Sequence, residues 1–448
     1  MASPDLLRFI TAGSVDDGKS TFIGRLLYDS RGILDDQAEA LKKARNKRAA
    51  TGGEIDFSLL TDGLEAEREQ GITIDVAYRY FRSPVRRFII ADTPGHEQYT
   101  RNMFTGASTA DAAVLLIDAS RVENRDGRWR LLDQTRRHSA IIKLLGIRSV
   151  IAAVNKMDLF DFDRERFEAQ GRAYRELAEQ LGLKNTCCVP ISALKGDNVV
   201  RRSERTPWYT GGSVLEILES LPQTAEHDAR SASLRFPVQY VVRQNGDSFD
   251  AFRGLAGQIE SGTLEEGQTV RIVPGDMVTR IAEVHAPGGR VTGLGRGSPA
   301  IIRLERDADV SRGDMIVDAT SDVFIARRLN ADLCWFDGEP LNPQRKYLLH
   351  LGTAVVFARI AGVRSVLNVQ TLSSLTNKSL LEQNDIGEVD ITLQKPIACD
   401  RFSDKPETGS FTLIDPVTNR TLAAGMVKTL PESHQPYVGG APKHRHEN

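Results

Sequence analysis

The run Gly13-Ser14-Val15-Asp16-Asp17-Gly18-Lys19-Ser20 has the G-x-x-x-x-G-K-S spacing of a triphosphate cradle. The chemistry needs these residue types. Glycines let successive backbone N–H groups converge on phosphate oxygens, and a helix opening just after the loop turns its positive end to the same anion. Lys19 is placed to reach the β- and γ-phosphates and the Ser20 hydroxyl to ligate Mg²⁺, with Thr21 beside them. Asp16 and Asp17 fit less easily, because carboxylates next to a triphosphate repel it. They must point away, pair with a cation or meet a backbone donor, and the sequence leaves all three open.

Two further runs choose the nucleotide. Asp92-Thr93-Pro94-Gly95-His96 follows the apolar Phe88-Ile89-Ile90-Ala91. Asp92 can act on the Mg²⁺ shell, and the Gly95 amide can meet the γ-phosphate, so this loop senses whether that phosphate is present. Asn155-Lys156-Met157-Asp158 follows the apolar residues 150–154. The Asp158 carboxylate can accept from the ring N1–H and the exocyclic amine of guanine, two charge-assisted bonds. Adenine offers an acceptor at N1, so the carboxylate would face a lone pair, a mismatch that costs orders of magnitude in selectivity. Ser192-Ala193-Leu194, after Val189-Pro190-Ile191, can add a backbone contact to the guanine carbonyl. The four motifs together predict a site for Mg²⁺-bound GTP.

Strand and helix patterns must position these loops. From residue 6 to about 221, apolar strands alternate with amphipathic helical stretches, the pattern of a mostly parallel sheet with crossover helices on both faces. Residues 35–48 read as a charged helical insertion before Gly52-Gly53, ahead of the Gly71-Ile72-Thr73-Ile74 switch element. Residues 222–232 are linker-like. Beyond them, short alternating runs at 236–243, 254–260, 268–273 and 300–304 suggest a small antiparallel barrel. A second β segment has strands expected at 332–336, 347–351, 353–360, 386–393 and 409–414. The expected organisation is a P-loop GTPase domain over 1–222, all-β barrel domains over 223–322 and 323–430, and a flexible tail over 431–448. His434, His444 and His446 in that tail read as solvated side chains, not as metal ligands.

The 448 residues carry a formal net charge of −2, so nothing calls for a nucleic-acid partner. No segment approaches the ~20 apolar residues of a membrane span, and the start lacks a secretory signal, so a cytoplasmic protein is expected. The four cysteines, Cys187, Cys188, Cys334 and Cys399, show no C-x-x-C pattern and read as buried thiols in a reducing compartment.

The D-T-P-G-H and G-I-T-I elements and the order of domains resemble the translation elongation factors. Those carry histidine where this loop has Asp17. The strings Ser14-Val15-Asp16-Asp17-Gly18-Lys19-Ser20-Thr21, Ile23-Gly24-Arg25-Leu26-Leu27-Tyr28-Asp29-Ser30 and the run 67–81, Glu-Arg-Glu-Gln-Gly-Ile-Thr-Ile onward, resemble a different branch. That branch is the GTPase subunit (subunit 1) of bacterial sulfate adenylyltransferase. Gln98-Tyr99-Thr100-Arg101-Asn102-Met103 and Gln134-Thr135-Arg136-Arg137-His138-Ser139 extend the resemblance, which runs from residue 6 to about 428. It implies a smaller adenylyltransferase partner that joins ATP and sulfate into adenosine 5′-phosphosulfate and pyrophosphate. This subunit would couple GTP hydrolysis to that synthesis. Some relatives carry a fused adenylylsulfate kinase; no second phosphate loop follows Ser20, so none is expected here. The alternatives are an elongation-factor-like GTPase delivering aminoacyl-tRNA and a free-standing regulatory GTPase.

The resemblance also assigns roles. Lys19, Thr73 and His96 form the catalytic set, with Ser20, Thr73 and Asp92 around Mg²⁺. His96 would orient the attacking water where other GTPases use glutamine; whether it also moves a proton stays open. The mobile switches are expected at 29–73 and 93–105. The charged run 119–133, with Arg121, Trp129 and Arg130, departs from the family. It reads as a solvated insertion or, through Trp129 and its arginines, as a partner contact.

Overall fold

Strand β1 (Leu6–Ala12) opens a six-stranded sheet in the computed structural model, which describes residues 6–30, 75–96, 99–125, 128–222, 233–243, 253–368 and 371–429. Outside these residues lie Thr73 and its switch element, the charged stretch 35–48, Gly52-Gly53, Gln98, Asp126, most of the linker, and the tail with its three histidines. Helix α1 (Lys19–Asp29) follows β1. Then come β2 (Ala77–Arg82), β3 (Arg87–Asp92), α2 (Thr100–Ala107) and β4 (Ala112–Asp118). A hairpin of β5 (Glu123–Arg125) and β6 (Arg128–Arg130) stands apart from the sheet. After it run α3 (Asp133–Leu144), β7 (Ser149–Asn155), α4 (Arg164–Leu181), β8 (Asn185–Pro190) and α5 (Val214–Ser220).

The sheet order is β2-β3-β1-β4-β7-β8. Only β2, at the edge, is antiparallel to its neighbour; the other pairings are parallel. All seven residues of β4 are buried, which a strand achieves when both faces of its sheet are covered. On one face Phe22, Ile23 and Leu26 of α1 and Leu215 and Leu218 of α5 share a core with Phe9, Ile90, Val114 and Ala153. Burying such side chains contributes roughly 1.5–3 kcal/mol each, which holds the loops at the strand ends in place.

The chain divides near residue 224 into two compact units. The second unit holds two closed six-stranded antiparallel barrels. In the first, Thr269–Val273 pairs with both Met277–Ala286 and Met315–Asp318, and Arg235–Arg243, Arg253–Gln258 and Pro299–Leu304 complete the ring. In the second, Tyr347–Leu351 closes the ring between Ala354–Leu367 and Ser410–Ile414, with Phe324–Trp335, Ile386–Cys399 and Thr421–Thr429 between them. Closure leaves no long unpaired edge among these strands. Each barrel fills its interior with its own apolar core. The fully buried Arg235 forks onto Asp400 at 2.8 and 2.7 Å, a paired charge linking one barrel to the next.

None of the four cysteines forms a disulfide among the described residues. Cys334 and Cys399 are buried as expected, but Cys187 and Cys188 are half-buried, since neighbours on edge strand β8 face opposite sides. Burial still pushes both of these thiols up to about 11, so neither is a ready nucleophile. Among the described residues, no helix is long and apolar enough to cross a membrane.

Candidate nucleotide site

Strand β1 delivers the phosphate loop at its carboxyl end, and α1 begins at Lys19 with Gly18 as its N-cap at φ 92°. Glycine takes that left-handed conformation without strain, and it brings no side chain to cap the helix. Lys19 is buried, and its Nζ donates to the carbonyls of Gly13 and Ser14 at 3.0 and 2.8 Å. Burial lowers its pKa, while Asp92, Asp17 and Asp16 pull it back up. A buried ammonium resting on two neutral carbonyls is poorly compensated, and a phosphate would supply the missing charge. A Cβ at Gly95 would collide with Lys19 Nζ and Gly13 O, so glycine there keeps the cradle open.

The two aspartates separate cleanly. Asp16 is exposed, at φ 67°, and its charge still reaches Lys19. Asp17 is fully buried; its Oδ2 accepts from Ser14 N–H at 2.6 Å, and its Oδ1 lies 3.6 Å from Arg121 Nη1. Burial drives its pKa up to about 6 against the pull of that amide, Lys19 and Arg121.

At the end of β3, Asp92 is buried and accepts from Thr11 Oγ1 at 3.1 Å, while Thr93 Oγ1 donates to Thr11 O at 2.6 Å. These bonds tie the Asp92–Gly95 turn to the strand that carries the phosphate loop. Pro94 is buried and His96 exposed, with its ring 6.1 Å from that of Tyr99. Ser20 and Thr21 are half-buried in the first turn of α1.

On the other side, Asn155 stitches two loops together. Its Nδ2 donates to Asp17 O at 2.8 Å and its Oδ1 accepts from Ala193 N at 2.9 Å. Lys156, at φ 63°, sends Nζ to Asp118 at 2.7 Å. Met157 is buried, and its N–H donates to Ile191 O at 3.2 Å. Asp158 is half-buried, and among the described residues its carboxylate has no hydrogen-bond or ion-pair partner. A carboxylate held there without a partner suits a ligand with two N–H donors. Ser192 Oγ accepts from Lys195 N at 3.1 Å, and exposed Leu194 offers its carbonyl to Arg25 Nη1 at 3.3 Å. Four loops therefore gather at the carboxyl ends of β1, β3, β7 and β8, and the residues present fit a magnesium-bound guanosine triphosphate. Thr73 is the one expected site residue that lies outside the described residues.

Residues 4–227 match the family model described as Elongation factor Tu GTP binding domain, and residues 328–428 match GTP-eEF1A C-terminal domain-like. Sulfate adenylyltransferase subunit 1 of Saccharophagus degradans is 46% identical over 423 residues, covering 94% of this chain and 87% of that protein. This chain belongs to the sulfate adenylyltransferase subunit 1 family. The subunit 1 of Photobacterium profundum is 48% identical over 94% of this chain and 86% of its own length. The bifunctional enzyme NodQ of Rhizobium sp. is 46% identical over 94% of this chain, which spans 63% of that longer protein. The resemblance drawn from the long strings is thereby borne out, and with it the GTPase character of the chain and its GTP and Mg²⁺ cofactors.

Two residues at the site carried no signal of their own in the sequence. His138, on α3, is buried, and its Nδ1 accepts from Gly13 N–H at 3.1 Å. Burial first, then Lys19 and Arg137, push its pKa down to about 3, so the ring is neutral and its proton sits on Nε2. It was legible only as one letter of the Gln134–Ser139 string. Arg121 belongs to the run read as a solvated insertion or a partner contact, and its Nη1 donates to Val15 O at 2.6 Å within this chain. The hairpin that follows it packs Trp129 beneath the Arg166 guanidinium, 5.1 Å from the ring centre.

Proposed function

We propose that this chain is the GTP-hydrolysing subunit of a heteromeric sulfate adenylyltransferase. It couples GTP hydrolysis to the synthesis of adenosine 5′-phosphosulfate and pyrophosphate from ATP and sulfate by a smaller adenylyltransferase subunit. The observation that carries this reading is the 46% identity to subunit 1 proteins along 94% of the chain, with described pocket residues that fit the nucleotide. The near-neutral charge and Asp17 in place of histidine favour it over delivery of aminoacyl-tRNA. Four cysteines outside any disulfide suit a cytoplasmic setting. The working division is a GTPase domain over 1–222 and barrels over 223–322 and 323–430.

Bound Mg²⁺–GTP supplies the transferable γ-phosphoryl group and a Lewis acid that spreads its charge. The protein's share is positioning and charge. Lys19 and the amides of Gly13 to Ser20 hold the β- and γ-phosphates. Ser20, Thr73 and Asp92 would hold the metal. The Gly95 amide meets the γ-phosphate, and His96 orients the attacking water. Asp158 and the Ser192–Leu194 loop read guanine, with Asn155 keeping that loop in register with the phosphate loop.

GTP can drive the partner only if the partner's reaction states bind the GTP and GDP forms of this subunit unequally. The test is sulfate-dependent pyrophosphate release from ATP by the coexpressed pair, with and without GTP. Stimulation by GTP supports the proposal. A pair that forms and works equally well without GTP refutes it.

A further inference from the structure

Arg121 meets the phosphate loop at Val15 and Asp17. Its Nη1 donates to the Val15 carbonyl at 2.6 Å and stands 3.6 Å from Asp17 Oδ1, an oxygen with no hydrogen-bond partner among the described residues. The other oxygen of Asp17 is taken by Ser14 N–H. A fully buried carboxylate close to a triphosphate needs a counter-charge of its own. Lys19 is near, but a bound phosphate claims that ammonium. Among the described residues, Arg121 is the cation left to Asp17.

The bond to Val15 has a second consequence. A trans peptide places its N–H opposite its carbonyl. Holding Val15 O on the Arg121 side therefore fixes the Asp16 N–H on the opposite side of the chain. Asp16 sits at φ 67°, a left-handed conformation that costs a non-glycine residue about 1 kcal/mol or more and persists only if its surroundings enforce it. Such a residue inside a phosphate loop turns successive N–H groups into an anion-binding concavity.

Arg121 is itself held in place. Its N–H donates to Asp118 O at 3.1 Å, Asp118 Oδ1 accepts from Ser120 N and Oγ at 2.8 and 2.6 Å, and Asp118 Oδ2 takes Lys156 Nζ at 2.7 Å. One chain of polar contacts thus runs from the phosphate loop through Arg121 and Asp118 to the guanine-reading loop.

We propose that Arg121 is a positioning residue of the nucleotide site, bracing the phosphate loop through Val15 O and serving as the dedicated counter-charge of Asp17. The inference rests on residues 13–20 being the phosphate cradle. It assigns Asp17 a purpose, since the carboxylate and the arginine form one device.

The test is equilibrium affinity and dissociation rate of a fluorescent GDP analogue on the full-length protein. Arg121→Ala should weaken GDP by about 10- to 100-fold, mainly through faster dissociation, and Arg121→Lys should recover part of that loss. In an Asp17→Asn background, the loss from Arg121→Ala should shrink at least ~3-fold, because the charge needing Arg121 is gone. Unchanged affinity in Arg121→Ala overturns the brace, and equal losses in both backgrounds overturn the pairing. Lys19→Ala serves as the control. If it binds GDP normally, the cradle reading itself fails; if it loses GDP while Arg121→Ala does not, only the present inference falls. Should Arg121→Ala not fold, Arg121→Lys carries the test. Wild-type affinity in Arg121→Lys and in Arg121→Lys/Asp17→Asn would then overturn the proposal, whereas intermediate loss relieved by Asp17→Asn supports it.

Discussion

His138 should make the nucleotide-binding half of the protein sensitive to mild acid. Its Nδ1 accepts from Gly13 N–H, and protonation would put hydrogens on both sides of that contact, beside Lys19 and Arg137. The folded pKa of about 3 lies below the ordinary 6.5. The unfolded chain therefore binds a proton between those limits while the native state does not. The stabilisation is fully present above pH 6.5 and is lost as pH falls. Integrated from pH 7.5 to 5, the loss is about 2 kcal/mol, a large part of a domain's usual stability. Asp17 runs the other way. Its pKa, raised to about 6, lets the native state take up a proton first and returns about 1.4 kcal/mol between pH 7.5 and 5. Comparison with His138→Gln isolates the histidine, because glutamine offers Gly13 an acceptor that does not titrate. Urea unfolding followed by tryptophan fluorescence gives the reading, using the transition that shifts when GDP is added. The stability difference between wild type and variant should narrow by about 2 kcal/mol from pH 7.5 to 5. A difference that stays constant, or a His138 NMR resonance that titrates near 6.5, would refute the assignment of a neutral, buried ring.

Lys19→Ala should lower GTP affinity by ~10²-fold or more and abolish GTP-stimulated adenylylsulfate synthesis while the two subunits still copurify; full stimulation in that variant would rule out coupling. Asp158→Asn should weaken GTP and strengthen xanthosine triphosphate, inverting preference by ~10²-fold or more; unchanged preference by calorimetry would show that guanine is read elsewhere. His96→Ala should cut single-turnover GTP hydrolysis by ~10²-fold or more with GTP affinity within a few-fold; near-normal hydrolysis would remove His96 from water positioning.

The four nucleotide loops were legible because each follows a strand that ends in buried residues and carries a short motif of fixed spacing. What could not be read was what holds the loops. Asn155 was read as part of a guanine motif, yet its side chain joins the phosphate loop to Ala193, residues far apart in sequence. The purpose of Asp17 was open for the same reason, since Arg121 and Val15 meet only across β1 and β4. In the barrels, alternation revealed Tyr347–Leu351 to the residue. Thr421–Thr429 was missed because its centre is Ala-Ala-Gly; it is buried on both faces, and a Cβ at Gly425 would collide with the Phe411 ring. Met277–Ala286 escaped because its outer positions are half exposed and its pattern irregular. The hairpin at 123–130 carried an Asp126-Gly127 turn signal that went unread among so many charges.

The central claim is that energy from GTP reaches the adenylyl transfer, and simultaneous release assays on the two-subunit complex test it most directly. Phosphate from GTP and pyrophosphate from ATP would be followed in one reaction, with sulfate added or withheld. The account predicts that sulfate and ATP accelerate GTP hydrolysis and that adenosine 5′-phosphosulfate accumulates beyond the level reached without GTP. GTP hydrolysis indifferent to sulfate, with the same final product level whether GTP is present or not, would contradict it.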